Sequence, residues 1–251
     1  MKTVFKGVAT ALITPMKQNG EVDYEAFGRL IDWQIEQGIN ALVACGTTGE
    51  CATLDDNEHK EVIKFCVERA NKRVPVIAGT GGNDTAYAIK LTKHAKEVGA
   101  DACLLVTPYY NKATQKGLIK MFGEIAESVD LPMIVYNVPS RTGVNIEPAT
   151  YKALTQFKNI RGIKEANGNI SKAVETMSLI GDEIDLYSGN DDQIVPFMSI
   201  GGKGVISVLS NLLPKETVEI CSLFFDGKIK ESAKKQLEYK ALIDALFCEV
   251  N

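Results

Sequence analysis

One lysine stands where burial of its charge would be costly, at the end of a predicted core strand. Lys164 closes the mostly apolar run of residues 160–164, and ammonium groups rarely end such strands because leaving water is unfavourable for a charge. Strand alternation places Ile160, Gly162 and Lys164 on one face, where Gly162 leaves space for the lysine stem or for a ligand. Apolar surroundings favour the neutral amine, which is the form that makes a Schiff base. The alternative is a surface lysine whose ammonium reaches water past its apolar stem.

Other groups suited to proton transfer and to carboxylate binding follow further predicted strands. They are the turn at residues 46–50 (Gly-Thr-Thr-Gly-Glu), Tyr110, Tyr136 and Arg141. Taken singly, each has a simpler interpretation: an ordinary turn, an aromatic residue whose hydroxyl has found a hydrogen-bond partner, and a solvated charge. Together with Lys164 they supply the parts of imine-forming aldol chemistry, namely an amine nucleophile, proton donors and carboxylate ligands. The turn lacks the spacing of a P-loop, which argues against nucleotide binding.

Eight alternations of strand and helix must position these residues. The predicted strands are 7–13, 41–44, 76–78, 102–106, 133–136, 160–164, 185–188 and 204–207, and the predicted helices are 24–37, 56–71, 84–98, 116–129, 147–156, 170–181, 191–200 and 213–226. This order predicts a (β/α)8 TIM barrel, with a doubly wound open sheet as the alternative. A last helical stretch at 228–247 predicts a partial C-terminal helical extension, so we divide the chain into a catalytic barrel, 1–227, and this extension, 228–251.

Cap residues agree with this division. Asp55, Asp84 and Asn169 are placed to cap the helices that follow them. Gly38 and Gly99 follow the first and third helices, where a left-handed residue commonly ends a helix. In a barrel built this way, the active site lies at the C-terminal ends of the strands.

Composition excludes several classes of protein. The net charge is −4 with the signs interspersed, so we expect no nucleic-acid partner, and the short apolar runs predict no membrane span. The six cysteines form no CxxC pair, which is typical of reduced thiols in a cytoplasmic enzyme. His59 and His94 lie in no metal-ligand spacing, so we expect no metal site.

Three motifs resemble the dihydrodipicolinate synthase family, which belongs to the pyruvate-dependent class I aldolases. They are residues 46–50, 136–143 (Tyr-Asn-Val-Pro-Ser-Arg-Thr-Gly) and 162–166 (Gly-Ile-Lys-Glu-Ala), in the family's order and spacing. The resemblance runs along the chain to Asn251. It implies a (β/α)8 lyase of lysine and diaminopimelate biosynthesis that makes 4-hydroxy-tetrahydrodipicolinate. It also implies a homo-oligomer, tetrameric in the family, and no cofactor beyond a covalent imine with the substrate pyruvate.

The resemblance assigns catalytic roles to four residues. Lys164 resembles the lysine that condenses with the keto group of pyruvate. Tyr136 resembles the tyrosine that relays protons to and from that imine, aided by the Thr47 hydroxyl. Tyr110 matches the third member of this relay, which in the family reaches the active site of a neighbouring subunit.

Four further residues match substrate-binding positions of the family. Thr48, with Thr47, resembles the site of the pyruvate carboxylate, with backbone N–H groups as donors. Arg141 resembles the arginine that recognises the carboxylate of the second substrate, L-aspartate 4-semialdehyde. Gly189 and Ile206 correspond to positions that line the pocket through their backbone.

Alternative activities share parts of this pattern. N-acetylneuraminate lyases and keto-sugar-acid aldolases use the same imine, but a guanidinium held by Ser140 and Thr142 suits a short acid with a second carboxylate. A phosphate-binding barrel is disfavoured by Asp191 and Asp192 after the seventh strand. From another class, a non-catalytic barrel that binds small acids remains open.

The chain departs from the family pattern at its C-terminal end. Family members continue beyond the position of Asn251 with a sequence that begins Pro-Ile-Pro. Residues 242–247 would then lack their covering partners, which predicts weaker stability or altered assembly.

A second departure concerns feedback inhibition by lysine. His59, Asn83 and Tyr109 match positions that bind inhibitory lysine in sensitive members of the family. Asp56 and Tyr87 stand where those members carry His and Glu, and loss of the Glu removes a partner for the ligand's ammonium. We therefore predict weak or absent inhibition, with His59 as a helix-surface histidine that has no regulatory role.

Overall fold

A closed barrel of eight parallel strands is the centre of the structure, a computed structural model that describes residues 3–249. The strands are β1 Gly7–Ala11, β2 Ala41–Ala44, β3 Val76–Gly79, β4 Ala102–Val106, β5 Met133–Asn137, β6 Ile160–Glu165, β7 Asp185–Ser188 and β8 Gly204–Ser207. Each strand pairs with the next along the chain, and β8 returns to β1 with Ile206 opposite Ala9. The predicted (β/α)8 barrel is therefore confirmed, and the open-sheet alternative is wrong because the sheet closes on itself.

Helices surround this barrel. They are α1 Tyr24–Glu36, α2 Asp56–Ala70, α3 Thr85–Glu97, α4 Gln115–Ser128, α5 Pro139–Thr142, α6 Pro148–Leu154, α7 Ile170–Ile180, α8 Ile194–Ser199, α9 Pro214–Phe225, α10 Ile229–Glu238 and α11 Lys240–Ala245. The helix predicted at 191–200 is a 3₁₀ turn, Asp191–Gln193, followed by α8. The short helix α5 was not predicted, and the last predicted helix is divided into α10 and α11.

The predicted caps are confirmed. Asp55 accepts backbone N–H groups at the start of α2 in a full capping box. The side chains of Asp84 and Asn169 also accept backbone N–H groups at the starts of α3 and α7. Gly38 and Gly99 have φ of +86° and +91° directly after α1 and α3, a conformation that costs glycine little. These local signals fix where helices begin and end around the barrel.

Two apolar clusters divide the core. The outer cluster fills the space between strands and helices, and the inner cluster fills the barrel itself. Small residues such as Ala9 and Ala102 line the inner cluster beside the large ring of Tyr187, which stacks on Phe5 at 4.3 Å between centroids. The barrel interior is therefore packed with side chains below the C-terminal ends of the strands.

A bulge in β6 changes which residues share a face. Met133 pairs with Ile160, but the next residue of β5, Ile134, pairs with Gly162, so one extra residue is inserted in β6. Ile160 consequently packs in the outer cluster, and the prediction that it shares a face with Gly162 and Lys164 is wrong. The space beside Gly162 is also not left for the lysine stem or a ligand, because a Cβ there would lie 3.1 Å from the Tyr187 ring and 3.0 Å from Ile134.

The C-terminal helices pack back on the barrel. Gln236 of α10 accepts the Val195 N–H at 2.8 Å and donates to the Asp192 carbonyl at 2.9 Å. Ile243 of α11 is buried, whereas Phe247, just after α11, is half-exposed. The division at residues 227 and 228 remains a prediction, and the outer limits of both segments, residues 1 and 251, lie outside the described residues.

Candidate active site

The C-terminal ends of the strands surround a cavity of about 700 Å³. Its lining includes Thr47 after β2, Tyr136 of β5, Lys164 of β6, Gly189 after β7 and Val208 after β8. Five strands that are far apart in sequence thus contribute to one site, at the end where (β/α)8 barrels carry their active sites. Most of the residues singled out from the sequence lie here.

Lys164 and Tyr136 form a direct pair across two neighbouring strands. They are opposite each other in the register of β5 and β6, and the lysine Nζ lies over the tyrosine ring, 4.1 Å from its centroid. Their exposed fractions are only 5% and 6%. The alternative of a solvated surface lysine is therefore wrong, and a small ligand in the cavity meets the amine and the phenol ring together.

A buried carboxylate lies near this pair. Asp191 accepts the backbone N–H groups of Val208 and Leu209, both at 3.0 Å, and is 2% exposed. Burial raises the pKa of Asp191, and the opposing effects include its hydrogen bonds and the positive charge of Lys164. Because Asp191 occupies these N–H groups, they cannot hold a phosphate, and of the predicted acidic pair only Asp192 is exposed.

Thr47 and Thr48 lie on a strained turn at the end of β2. Both are half-buried and line the cavity. The turn starts at Cys45, which has a φ of +54°, a conformation that is uncommon for a residue with a side chain. The carbonyl of Cys45 passes so close to Gly79 that a Cβ there would lie 1.9 Å from the oxygen. Glycine at the end of β3 is therefore required for this turn to bring the two threonines into the cavity.

His59 braces the same turn from behind. Its Nε2 lies 2.7 Å from the Gly79 carbonyl, and its own carbonyl accepts the Cys45 thiol at 3.6 Å. Burial lowers the pKa of His59, and a carbonyl partner requires Nε2 to carry the proton. The prediction of a helix-surface histidine is wrong, since the side chain is 4% exposed and bonds to β3.

Arg141 lies at the edge of the cavity on the one-turn helix α5. Pro139 begins this helix, and Gly143 ends it in the left-handed conformation at a φ of +67°. The neighbouring Thr142 is buried, accepts the Thr107 hydroxyl at 3.1 Å and itself reaches backbone carbonyls of the same loop. Arg141 is exposed, so a guanidinium on a braced turn faces the cavity entrance.

Two predicted site residues are placed elsewhere. Tyr110 is 93% exposed, has a φ of +68° and is not among the residues that line the cavity. Its assignment to the active site of a neighbouring subunit remains a prediction. The Ile206 side chain packs in the inner cluster, so its predicted contribution through the backbone stays a prediction, and Val208, two residues later, lines the cavity at β8.

The predicted lysine-binding residues are divided between two places. Asn83 donates to the Tyr109 carbonyl at 3.4 Å, and Tyr109 lines a separate cavity of about 300 Å³ that also borders Thr47 and Arg141. His59, by contrast, is buried behind the turn after β2. Only Asn83 and Tyr109 are therefore in direct contact.

Asp56 is already engaged by cations. Its Oδ2 accepts Lys60 Nζ at 2.6 Å and Lys90 Nζ at 3.2 Å, and the Lys60 hydrogen bond lowers the pKa of Asp56. Burial and the nearby Asp56 carboxylate raise the pKa of Tyr87 to about 12. The two residues that depart from the family pattern thus form one cluster with two lysines.

Sequence reasoning missed residues on both sides of the site. Leu246 and Phe247 line the cavity although they follow α11, and no sequence signal indicates this contact. Asn137 and Glu165, each one residue beyond Tyr136 and Lys164, are buried on the opposite faces of their strands. Their position next to Tyr136 and Lys164 in two of the motifs was the only signal that the sequence offered.

The described residues show neither a metal-binding group nor a membrane-spanning helix. Within residues 3–249, no three His, Cys, Asp or Glu side chains are grouped so that they could hold a metal ion. None of the helices in this part of the chain is long and apolar enough to cross a membrane.

Known proteins share both the sequence and the fold. Residues 4–251 match the dihydrodipicolinate synthetase family. The 4-hydroxy-tetrahydrodipicolinate synthase of Acetivibrio thermocellus is 54% identical over 250 residues, which cover 100% of this chain and 85% of the relative. The enzyme of the same name from Caldicellulosiruptor saccharolyticus is 55% identical over 99% of this chain and 84% of its own length. The crystal structure of dihydrodipicolinate synthase from Aquifex aeolicus superimposes with a TM-score of 0.96 at 46% identity, covering 98% of this chain and 84% of that one.

Proposed function

The chain belongs to the dihydrodipicolinate synthetase family, and we propose that Lys164 carries its reaction as a Schiff-base nucleophile. The activity is 4-hydroxy-tetrahydrodipicolinate synthesis, a lyase reaction that joins pyruvate to L-aspartate 4-semialdehyde. The observation that carries the residue assignment is the buried Lys164 amine, 4.1 Å from the Tyr136 ring in a cavity bordered by hydroxyl groups and a guanidinium.

Imine formation is the first step. The Lys164 amine attacks the keto carbon of pyruvate, a C–N bond forms, and the keto oxygen leaves as water after accepting two protons. Tyr136 and Thr47 border the amine's cavity and are the groups we assign to these proton transfers. Loss of a proton from the pyruvate methyl group then gives the enamine.

Carbon–carbon bond formation follows. The enamine carbon attacks the aldehyde carbon of the second substrate, the aldehyde oxygen takes a proton, and the imine is restored. The amino group of the second substrate then attacks the imine carbon and displaces Lys164, which closes the ring and frees the enzyme. Atoms balance with one water released, and every covalent step uses the single amine of Lys164.

Two sites bind the carboxylates. Thr47 and Thr48, which line the cavity at the end of β2, are the residues we assign to the pyruvate carboxylate, and Arg141 at the cavity edge is the one we assign to that of the semialdehyde. A guanidinium can bind a carboxylate with two parallel hydrogen bonds, which a polyhydroxylated chain does not offer. This favours the synthase over N-acetylneuraminate lyase.

A side-by-side assay tests the assignment. We expect turnover with pyruvate and aspartate semialdehyde, no cleavage of N-acetylneuraminate, and loss of semialdehyde turnover in Arg141→Ala through a raised KM for that substrate. Cleavage of N-acetylneuraminate at a comparable rate would favour the lyase, and binding of pyruvate without any turnover would favour the non-catalytic barrel.

We further propose a homo-oligomer in which Tyr110 acts in a neighbouring subunit, as the resemblance implies. The high exposure of this side chain and its position outside its own cavity support this arrangement. Mixing Tyr110→Phe with Lys164→Ala chains tests it, because a shared site would restore activity that neither variant has alone. We also propose that the enzyme needs no cofactor and that it acts in the cytoplasm. Full activity after prolonged chelation would agree with the absence of a metal cofactor.

Weak regulation by lysine is the last proposal on the same chain. An inhibitory lysine needs a carboxylate for its ammonium, and Asp56 already binds two ammonium groups. The nearby Tyr87 offers only a neutral phenol at physiological pH, and its pKa is raised further, to about 12. Feedback inhibition is therefore expected to be weak.

A further inference from the structure

A buried carboxylate lies directly behind the catalytic pair. Tyr136 and Lys164 face each other on the cavity side of β5 and β6, and the next pair in the register is Asn137 with Glu165. Alternation along the strands turns this second pair away from the cavity. Glu165 is 3% exposed, so its charge must be held by the groups around it.

Glu165 accepts four hydrogen bonds. Asn137 Nδ2 donates to both carboxylate oxygens, at 2.9 and 3.1 Å. The Tyr151 hydroxyl of α6 donates to Oε2 at 2.8 Å, and the Asn167 N–H donates to Oε1 at 2.8 Å. The carboxylate therefore joins β5, β6, α6 and the loop after β6 at one point.

The same network extends to the loop that carries Arg141. Asn137 Oδ1 accepts the Ile146 N–H at 3.1 Å, and Asn137 Nδ2 also donates to Asn145 Oδ1 at 2.9 Å. These contacts fix both ends of the loop after β5, because Asn137 is the last residue of that strand. Any shift of Glu165 is thus transmitted to the strand ends and to this loop.

The network is arranged for an ionised carboxylate. The Asn167 N–H and the Asn137 amide, whose orientation is fixed by Ile146, offer only hydrogen atoms to Glu165. A proton on Glu165 can be placed only toward Tyr151, and it would displace the hydrogen bond that the phenol donates. Burial raises the pKa of Glu165 to about 7, and the bonds from Asn137, Tyr151 and the backbone oppose this rise.

Further titratable groups lie around the network. From α6, Tyr151 is the titratable partner, and burial together with Glu165 raises its pKa well above the usual value. Glu147, before α6, also acts on Tyr151 and lies 3.8 Å from Lys172 of α7. Lys164 of β6 faces the other side of the strand.

We propose that ionised Glu165 is a positioning residue for the reaction, which holds the ends of β5 and β6 so that Lys164 and Tyr136 stay opposed. This inference rests on the proposed function. Glu165 does not touch the cavity, and it acts through the two strand ends and the loops tied to them. Protonation of Glu165 loosens the network and lowers the rate of the steps that need both catalytic groups.

The pH dependence of kcat and KM tests this proposal in three chains. In the wild type, we expect an acid limb in kcat near pH 7 that reports Glu165. Glu165→Gln carries an amide NH2 where the protonated acid would carry its hydrogen, so we expect kcat about tenfold lower, no such limb, and a pyruvate KM within about twofold. Tyr151→Phe removes one donor to the carboxylate, which should move the limb upward by about half to one pH unit.

Matched controls separate this effect from general damage. Glu124→Gln changes the same charge on the exposed surface of α4, and Tyr239→Phe removes a phenol hydroxyl near α10. Both should keep the wild-type profile. If the acid limb of the kcat profile moves in Tyr151→Phe, the titrating group is Glu165 and not Asp191, because the Tyr151 hydroxyl donates a hydrogen bond to Glu165.

Two results would overturn the proposal. One is a folded E165Q protein whose kcat and pH profile superimpose on those of the wild type. The other is an unchanged limb in Y151F, which decides the matter even if E165Q does not fold. Borohydride trapping of pyruvate on the wild type separates failure of the proposed function from failure of the Glu165 proposal. If no pyruvate is trapped, the proposed function itself is wrong, and not only the role of Glu165.

Discussion

The two faces of the β5–β6 strand ends are built in opposite ways. On the cavity face, the Lys164 amine lies over the Tyr136 ring, a contact with little directional constraint. On the opposite face, the Glu165 carboxylate is fixed by four hydrogen bonds of 2.8–3.1 Å. In the proposed mechanism the amine forms and later breaks a covalent bond to the keto carbon of pyruvate, so a rigid set of hydrogen bonds to it would oppose reaction. Rigidity is supplied from behind instead.

The largest expected effect comes from removing the phenol hydroxyl on the cavity face. Tyr136→Phe keeps the ring over which Lys164 lies and removes the group that we assign to proton transfer. We expect kcat to fall by about 10²- to 10⁴-fold, with the free energy of unfolding changed by less than about 1 kcal/mol because the ring still packs. Steady-state kinetics and urea unfolding check both values. A folded variant with full activity would remove Tyr136 from the mechanism.

On the face that carries Asn137 and Glu165, we expect a substitution to reduce stability instead. Asn137→Ala removes the amide that bonds Glu165, Asn145 and the Ile146 N–H. Because buried polar groups lose their partners, we expect a loss of about 4 kcal/mol in the free energy of unfolding. Urea unfolding measures it. A loss below about 1 kcal/mol would show that the network does not stabilise the strand ends.

Stability should also depend on pH through Glu165. Its pKa in the folded chain, about 7, is above the usual value of 4.5, so the folded state holds the proton more tightly. Its contribution to stability is then fully present below about pH 4.5 and is lost as the pH rises through about 7. We expect the unfolding free energy of the wild type, relative to E165Q, to fall by roughly 3 kcal/mol between pH 4.5 and 8. A constant difference over this range would contradict the raised pKa.

The smallest effect is expected away from both faces. Asp56 is held by Lys60 and Lys90, so added lysine must compete with two ammonium groups that are already bound. We predict that millimolar lysine leaves the initial rate within about 20% of its value, since a partly exposed ion pair offers little free energy to a competing ligand. Inhibition by more than half would contradict this prediction and would mean that another group binds the ammonium of the added lysine.

Strand-end residues could be predicted because periodicity and motif order are local properties. The turn at 46–50 and the residues Tyr136, Arg141 and Lys164 all border the predicted cavity. Helix caps such as Asp55 were predicted for the same reason, since the cap bonds only residues two and three positions away.

Features set by distant neighbours were not predicted. The bulge that turns Ile160 outward leaves an apolar residue in an apolar run, so the sequence pattern carries no mark of it. The sequence pattern predicted a surface position for His59 because its partner, the Gly79 carbonyl, belongs to β3 and is distant along the chain. Phe247 reaches the cavity through the packing of α10 and α11, and no local pattern indicates that contact.

The site of the covalent adduct tests the central claim most directly. The protein is incubated with pyruvate and sodium borohydride, digested with trypsin, and the mass of each lysine-containing peptide is measured. We predict a reduced pyruvate adduct on the peptide that contains Lys164 and none on Lys164→Ala, which should also lose turnover. An adduct on a different lysine, or turnover that persists without Lys164, would contradict the account.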